Sequence, residues 1–229
     1  MGCTSSSANP PPSSAPGTTS ASAPASATTA APSGAAGSSG VNVWSGPTVS
    51  PTAIPLGDGR VSASPQVGYV DSCTTNFRGG GARHDGPWLD AGTGTWNSST
   101  KVEVQGSLSW PSASHSFTVS GANRVLATND LPTGQKTGSF PIATTDPAHA
   151  YDTNPNHILA QSLSWTVPAQ PTAASTPSCL GLGPIGVSTD GVVFFNGLDD
   201  SARDAGAHEI QDSCEGHPQA QGVYHYHTY

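Results

Sequence analysis

The sequence predicts an all-β or mainly β domain: an antiparallel, sandwich-like sheet arrangement with long loops and one short helix. Three observations lead there. Glycine (27) and proline (21) interrupt the 229-residue chain throughout, so long helices have little room. Apolar residues alternate at period two in several short runs rather than at 3.6. Asp190-Gly191 stands between two apolar β-type runs in "IGVSTDGVVFF", a strong local hairpin signal.

The foldable part begins late. Residues 4–40 contain only Ser, Ala, Thr, Pro, Gly and one Asn, and no charge precedes Asp58. Such a stretch has almost nothing to bury against its ordering entropy. Residues 1–40 are therefore expected to be a disordered tether, 41–64 a proline-rich lead-in and 65–229 the β-rich domain.

The elements follow in order. A first strand is expected within 67–73. The run "NFRGGGARHDGPW" has three consecutive glycines, Gly79 to Gly81, without P-loop spacing, and reads as a close-packed loop. "KVEVQGSLSW" (101–110) alternates as a half-buried strand, with Val102, Val104, Leu108 and Trp110 as inner positions. Residues 115–121 and 123–129 form a strand pair around Gly-Ala-Asn, and 157–171 is a longer strand ended by prolines. Asp199, Asp200 or Ser201 can cap a turn or two of helix through Arg203 and Ala205. A last strand is expected over 223–228.

Charge narrows the function. Seven Lys plus Arg against fifteen Asp plus Glu give a net charge of −8, with no basic cluster. Nucleic acid is excluded as a partner, because counterion release needs a basic face. The opening "MGCTSSS" is that of a lipoprotein remnant, with Cys3 as the acylated residue and a membrane anchor as its consequence; Met1-Gly2-x-x-x-Ser6 also fits the myristoylation pattern. The expected location is secreted, periplasmic or cell-surface. Of the remaining cysteines, Cys179 and Cys214 flank one dense segment. A bridge between them would close a loop of about 35 residues, stabilising by roughly 4 kcal/mol, with Cys73 left unpaired. No C-x-x-C occurs.

Four of the eight histidines fall within residues 208–227: His208, His217, His225 and His227. In "YHYH" (224–227) a strand would put His225 and His227 on one face, about 6.5–7 Å apart, and the tyrosines on the other. These histidines are the candidate metal ligands, with Glu209 and Asp212 holding ring N–H groups or serving as alternative ligands. Zinc or copper suits imidazoles; calcium at Asn196, Asp199, Asp200 and Asp204 is the lesser alternative. The competing view is a polar strand whose His pair hydrogen-bonds to Asp190, Asp212 or Glu209 and stitches loops together; Tyr224 and Tyr226, on the other face, are expected to pack against Trp165 or Phe194. Neither G-x-S-x-G nor H-E-x-x-H is present, so catalytic residues stay unassigned.

The run "STDGVVFFNGLDDSARDAGAHEIQDSCEGHPQAQGVYHYH", with "NFRGGGARHDGPW", "VQGSLSWP", "TGSFPI" and "YDTNPNHILAQSLSWTVPAQPT" upstream, resembles the YHYH-domain family. The resemblance implies an exported, mostly bacterial, β-rich protein and brings no established reaction. Family members continue past the signature, so it also implies a C-terminally truncated domain here. Three functions are carried forward: an exported metal-binding protein, a metal-dependent hydrolase or oxidase at the same site, and a metal-free surface module binding a carbohydrate or another ligand.

Overall fold

Twelve of the fourteen strands among the described residues have an antiparallel neighbour, and none exceeds six residues. The computed structural model describes residues 49–227; the expected tether, Cys3, the first eight residues of the lead-in and residue 228 of the expected last strand lie outside these residues. The fold is mainly β, with antiparallel pairing predominant and a single short α-helix among the described residues.

The longest strands form one three-stranded antiparallel sheet in the order Leu163–Pro168, Asn123–Thr128, His115–Ser120. Gly121, at φ 60°, makes the tight turn between the last two. The C-terminal sheet has four strands in the order Pro184–Val187, Val193–Phe195, Tyr224–Tyr226, Gly216–Pro218. Its middle pair is parallel and the outer pairs antiparallel. The Asp190-Gly191 hairpin is where the sequence puts it: Gly191 takes φ 96°, and Val187 pairs with Val193.

Several boundaries differ from expectation. The described part of the lead-in, from residue 49, carries strands: Ile54–Pro55 pairs with Thr95–Trp96 and Val61–Ser62 with Val70–Asp71. Residues 101–110 are not one strand. Val104 makes a single bridge to Asp212 and is buried, whereas Leu108 is exposed and pairs in a separate two-stranded ribbon with Thr137. Gly106, at φ 139°, separates the two pieces where the backbone of Ser139 passes too close for any Cβ. The long strand over 157–171 shrinks to Leu163–Pro168; before it, Leu159 and Gln161 donate to the carbonyls of Gly222 and Asn129 instead. The helix is Ala205–His208, capped by Asp204, whose side chain accepts from Ala207 N.

The expected Cys179–Cys214 bridge is corrected. Cys179 is bonded to Cys73, with Cα atoms 5.0 Å apart. A parallel bridge makes the pairing: Cys73 N donates to Leu180 O at 2.8 Å and Leu180 N to Asp71 O at 2.7 Å. This contact joins residues 106 positions apart, which proximity in sequence does not reveal. Cys73 is therefore not the odd thiol. Cys214 is buried in a core, with its sulfur 3.0 Å from Lys136 O.

Two apolar clusters support the site. One gathers Trp88, Trp96, Val104, Ile142, Ala148, Ala207 and Ile210 beneath the helix. The Trp88 indole N–H donates to Ala207 O at 2.8 Å, satisfying the ring's polar atom on burial. The other gathers Leu131, Ile158, Val192, Cys214, Tyr224 and Tyr226 beneath the last strand. Phe140 packs against both. Burying side chains such as Ile210 or Val192 completely stabilises each element by about 1.5–3 kcal/mol.

Candidate metal centre

The "GHPQAQGVYHYH" stretch folds into a tight antiparallel hairpin. Gln219 N donates to Val223 O and Gly222 N to Gln219 O, and Gly222 takes φ 80°. This turn fixes the register, placing His217 directly opposite His225. Cross-strand partners share a face, so their rings lie 4.5 Å apart, centroid to centroid. His227 follows two residues after His225 on the same side, and its ring is 4.8 Å from that of His225.

Glu209 completes the group. It is the C-cap of Ala205–His208 and turns out of the helix at ψ 143°. Ala207 and Ile210 on either side are fully buried in the first core, which fixes the backbone from which Glu209 projects. Gly81 passes close by: a Cβ there would lie 3.1 Å from Glu209 Oε1 and 3.0 Å from Asp199 Oδ2, and φ is +85°. This close approach accounts for the third glycine of the Gly79–Gly81 run.

Glu209, His217, His225 and His227 present donor atoms that all lie within 4.8 Å of one another. Glu209 Oε2 is 2.8 Å from His217 Nε2 and 3.2 Å from His227 Nε2, and the Nε2 atoms of His225 and His227 are 3.1 Å apart. The tautomers are set by carbonyl groups, which can only accept. His227 Nδ1 donates to Asn196 O at 2.6 Å, and His225 Nδ1 to Val223 O at 3.2 Å. In neutral rings both Nε2 atoms therefore carry lone pairs, and they face each other. His217 Nε2 approaches the carboxylate without hydrogen-bond alignment, and its Nδ1 has no partner among the described residues.

Electrostatics keep two of these donors, His225 and Glu209, in ligand form. Burial first, then the neighbouring His217 and His227, hold His225 well below the usual imidazole range. Burial alone would raise Glu209, but His217 and His227 outweigh it and hold the carboxyl well below its ordinary value. The cluster borders a cavity of about 580 Å³. A set of three imidazoles and one carboxylate fits zinc or copper chemically.

Two expected ligands stand elsewhere. His208 ends the helix facing the other way, with Nε2 2.8 Å from Asp58 Oδ2 and Nδ1 3.0 Å from Asp85 Oδ1. Consecutive residues at a helix end diverge, so His208 joins the lead-in to the glycine loop while Glu209 faces the cluster. Asp212 holds no ring nitrogen. It lies under the opposite face of the signature strand, where it accepts from Gly138 N, Cys214 N, Gly216 N and the Tyr224 hydroxyl. Glu209, offered as a ring-supporting group or an alternative ligand, is one of the four converging donors. Three of the four calcium candidates are engaged internally. Both Asp199 oxygens are engaged by Arg203, Asp204 caps the helix, and Asn196 Oδ1 accepts from Leu198 N.

The tyrosine face is a second device. The Tyr224 ring lies over Gly216, where a Cβ would come within 2.3 Å of it, and its hydroxyl is 2.9 Å from both Asp212 oxygens. The Tyr226 hydroxyl donates to Asp190 Oδ2 at 2.8 Å, and its ring lies 5.4 Å from Phe194; Trp165 lies in the three-stranded sheet instead. Burial, then the nearby carboxylates, raise both phenols far above their usual range, so they stay protonated donors. Each residue of the signature thus has a place: phenols anchor the strand from below and imidazoles converge above.

Sequence reasoning paired His225 with His227 and offered His217 as a third imidazole. It offered Glu209 as an alternative ligand and missed the bonds of Asp190 and Asp212 to the two tyrosines. The hairpin spacing from His217 to His225 was the available signal for their register.

No curated protein and no solved structure matches the chain. One family matches, that described as "YHYH protein", over residues 164–229. That span contains all four converging donors, both anchoring tyrosines and their carboxylate partners, so the match to the YHYH family covers the whole of the candidate centre.

Proposed function

We propose that this chain is an exported metal-binding protein whose centre is formed by Glu209, His217, His225 and His227, with zinc or copper as the ion. The observation that carries the reading is the facing of the His225 and His227 lone pairs at 3.1 Å beside the Glu209 carboxylate. Electron-rich atoms at such distances repel unless a cation lies among them. A proton on His227 is the competing cation, and metal content separates the two. The carbonyls of Val223 and Asn196 hold the rings as ligand-supporting groups do in metal sites.

Export is supported by the Cys73–Cys179 bridge, since structural disulfides belong to oxidising compartments. The Gly2-Cys3 opening supports lipid anchorage to a membrane, with Cys3 as the acylated residue. A second reading, a metal-dependent hydrolase or oxidase, is favoured by the cavity that the four donors border, because catalytic metals keep an open position and structural ones are closed.

The test is a thermal shift. Metal-free protein titrated with zinc or copper should gain stability, by about 2.7 kcal/mol at a hundredfold excess over Kd. E209Q and H225A should lose that gain. A wild-type protein indifferent to both ions would overturn the proposal.

A further inference from the structure

We infer that the cavity beside the metal centre takes an uncharged polyhydroxylated ligand, a saccharide, with an oxygen directed at the ion. The inference rests on the metal-centre reading above. At about 580 Å³ the cavity falls within the size range of small-molecule sites, roughly 300–1,000 Å³.

Charge selects the ligand class. Asp152, Asp199, Asp200 and Glu209 line the cavity, and no Lys or Arg does. The nearest guanidinium, Arg203, is engaged by Asp199 through Nε at 2.8 Å and a terminal nitrogen at 2.7 Å. Anionic ligands such as phosphates or uronates meet carboxylates with no counter-charge from the protein. Cationic ligands meet the metal ion. A neutral ligand avoids both penalties.

The sheet order distributes the rest. Pro184 and Phe195 come from the two strands on one side of the signature strand, Pro184 from the sheet's outer edge, and Leu182 from the segment that leads into that edge strand. Asn156 and Gln219 come from the other side; Gln219 follows Gly216–Pro218, and Asn156 is tied to Pro218 O at 3.3 Å. Asn156 Oδ1 and Gln219 Nε2 have no hydrogen-bond partner among the described residues, although both side chains are half-buried. One flank is thus apolar, and the other offers a free acceptor and a free donor. A sugar ring has the matching anatomy of C–H faces and a hydroxyl rim. The metal ligands lie between the two flanks, where a hydroxyl oxygen would reach the ion.

The experiment uses the full chain loaded with cobalt(II), whose visible spectrum reports ligation, with metal content measured in the same sample. Neutral oligosaccharides (β-1,4-glucan, xylan and N-acetylglucosamine oligomers) are titrated against oligogalacturonate. At least one neutral oligomer should shift the cobalt spectrum saturably, and oligogalacturonate should not at tenfold higher concentration. Asn156→Leu and Gln219→Leu should each weaken that binding about tenfold with metal content unchanged. Bound cobalt with no response to any neutral oligomer would overturn the inference and leave the metal centre standing, as would equal binding of the uronate. Saccharide binding that persists unchanged without metal would overturn the metal-directed geometry. Failure to bind cobalt, zinc or copper at all would remove the metal centre and the inference with it.

Discussion

Replacing Tyr224 by Phe deletes one hydroxyl and leaves the ring that lies over Gly216. Tyr224 is fully buried, and Asp212 is 1% exposed, so the phenol's bond to the carboxylate is shielded from water. Asp212 is pushed up to about 6, by burial first, against donors that include Tyr224. A carboxyl raised in the folded state binds more protons there than unfolded, so its stabilising contribution is complete below about 4 and is lost as pH rises through about 6. Y224F removes a donor to the ionised form and raises Asp212 further, which deepens the loss at high pH. A hydrogen bond to a charged group contributes about 1.5–3 kcal/mol and a neutral one about 0.5–1.5. Y224F should therefore cost about 1 kcal/mol at pH 4.5 and about 2–3 kcal/mol at pH 8. Urea unfolding with a chelator present measures both values free of metal linkage. Equal costs at the two pH values, or a cost under about 0.5 kcal/mol at pH 8, would refute the reasoning.

Asp130 is fully buried, with φ 62° and an Oδ2 that has no hydrogen-bond partner among the described residues, and burial foremost pushes it up to about 7. Its sign is the same as that of Asp212: stability should fall as pH rises from about 4 to about 7, and D130N, which tolerates the left-handed backbone, should shrink that fall by up to about 4 kcal/mol in urea unfolding at pH 4.5 and 8. Replacing Cys73 and Cys179 together by Ser should cost about 2–5 kcal/mol, since the bridge closes a loop of 106 residues; non-reducing peptide mapping should recover the Cys73–Cys179 pair from the native protein. Gly81→Ala should weaken zinc binding at least tenfold in a competition titration, because its Cβ would crowd Glu209 and Asp199. Gly79→Ala, with nothing within 4 Å of its added Cβ, should leave metal affinity unchanged.

What the sequence discloses is local. The Asp190-Gly191 hairpin, the 115–120 and 123–128 strand pair and the shared side of His225 and His227 follow from turn chemistry and period two. What it conceals is non-local. Cys73 meets Cys179 through a parallel bridge between distant segments, and His208 is claimed by Asp58 and Asp85 from far upstream. Residues 101–110 alternate like a strand, yet the close passage of Ser139 at Gly106 breaks them into two pieces. Glu209 and Asp212 looked equivalent beside four histidines. The turn at the helix end sends Glu209 to the imidazoles, and Asp212 is drawn to the Tyr224 face.

The central claim is that Glu209, His217, His225 and His227 hold an ion. Elemental analysis of protein purified without a histidine tag tests it most directly, with the H225A/H227A double variant measured beside it. The account predicts about one zinc or copper per chain in the native protein and none in the variant, with far-UV circular dichroism unchanged upstream. A native protein free of transition metal after exposure to both ions, or a variant that keeps its metal, would contradict it.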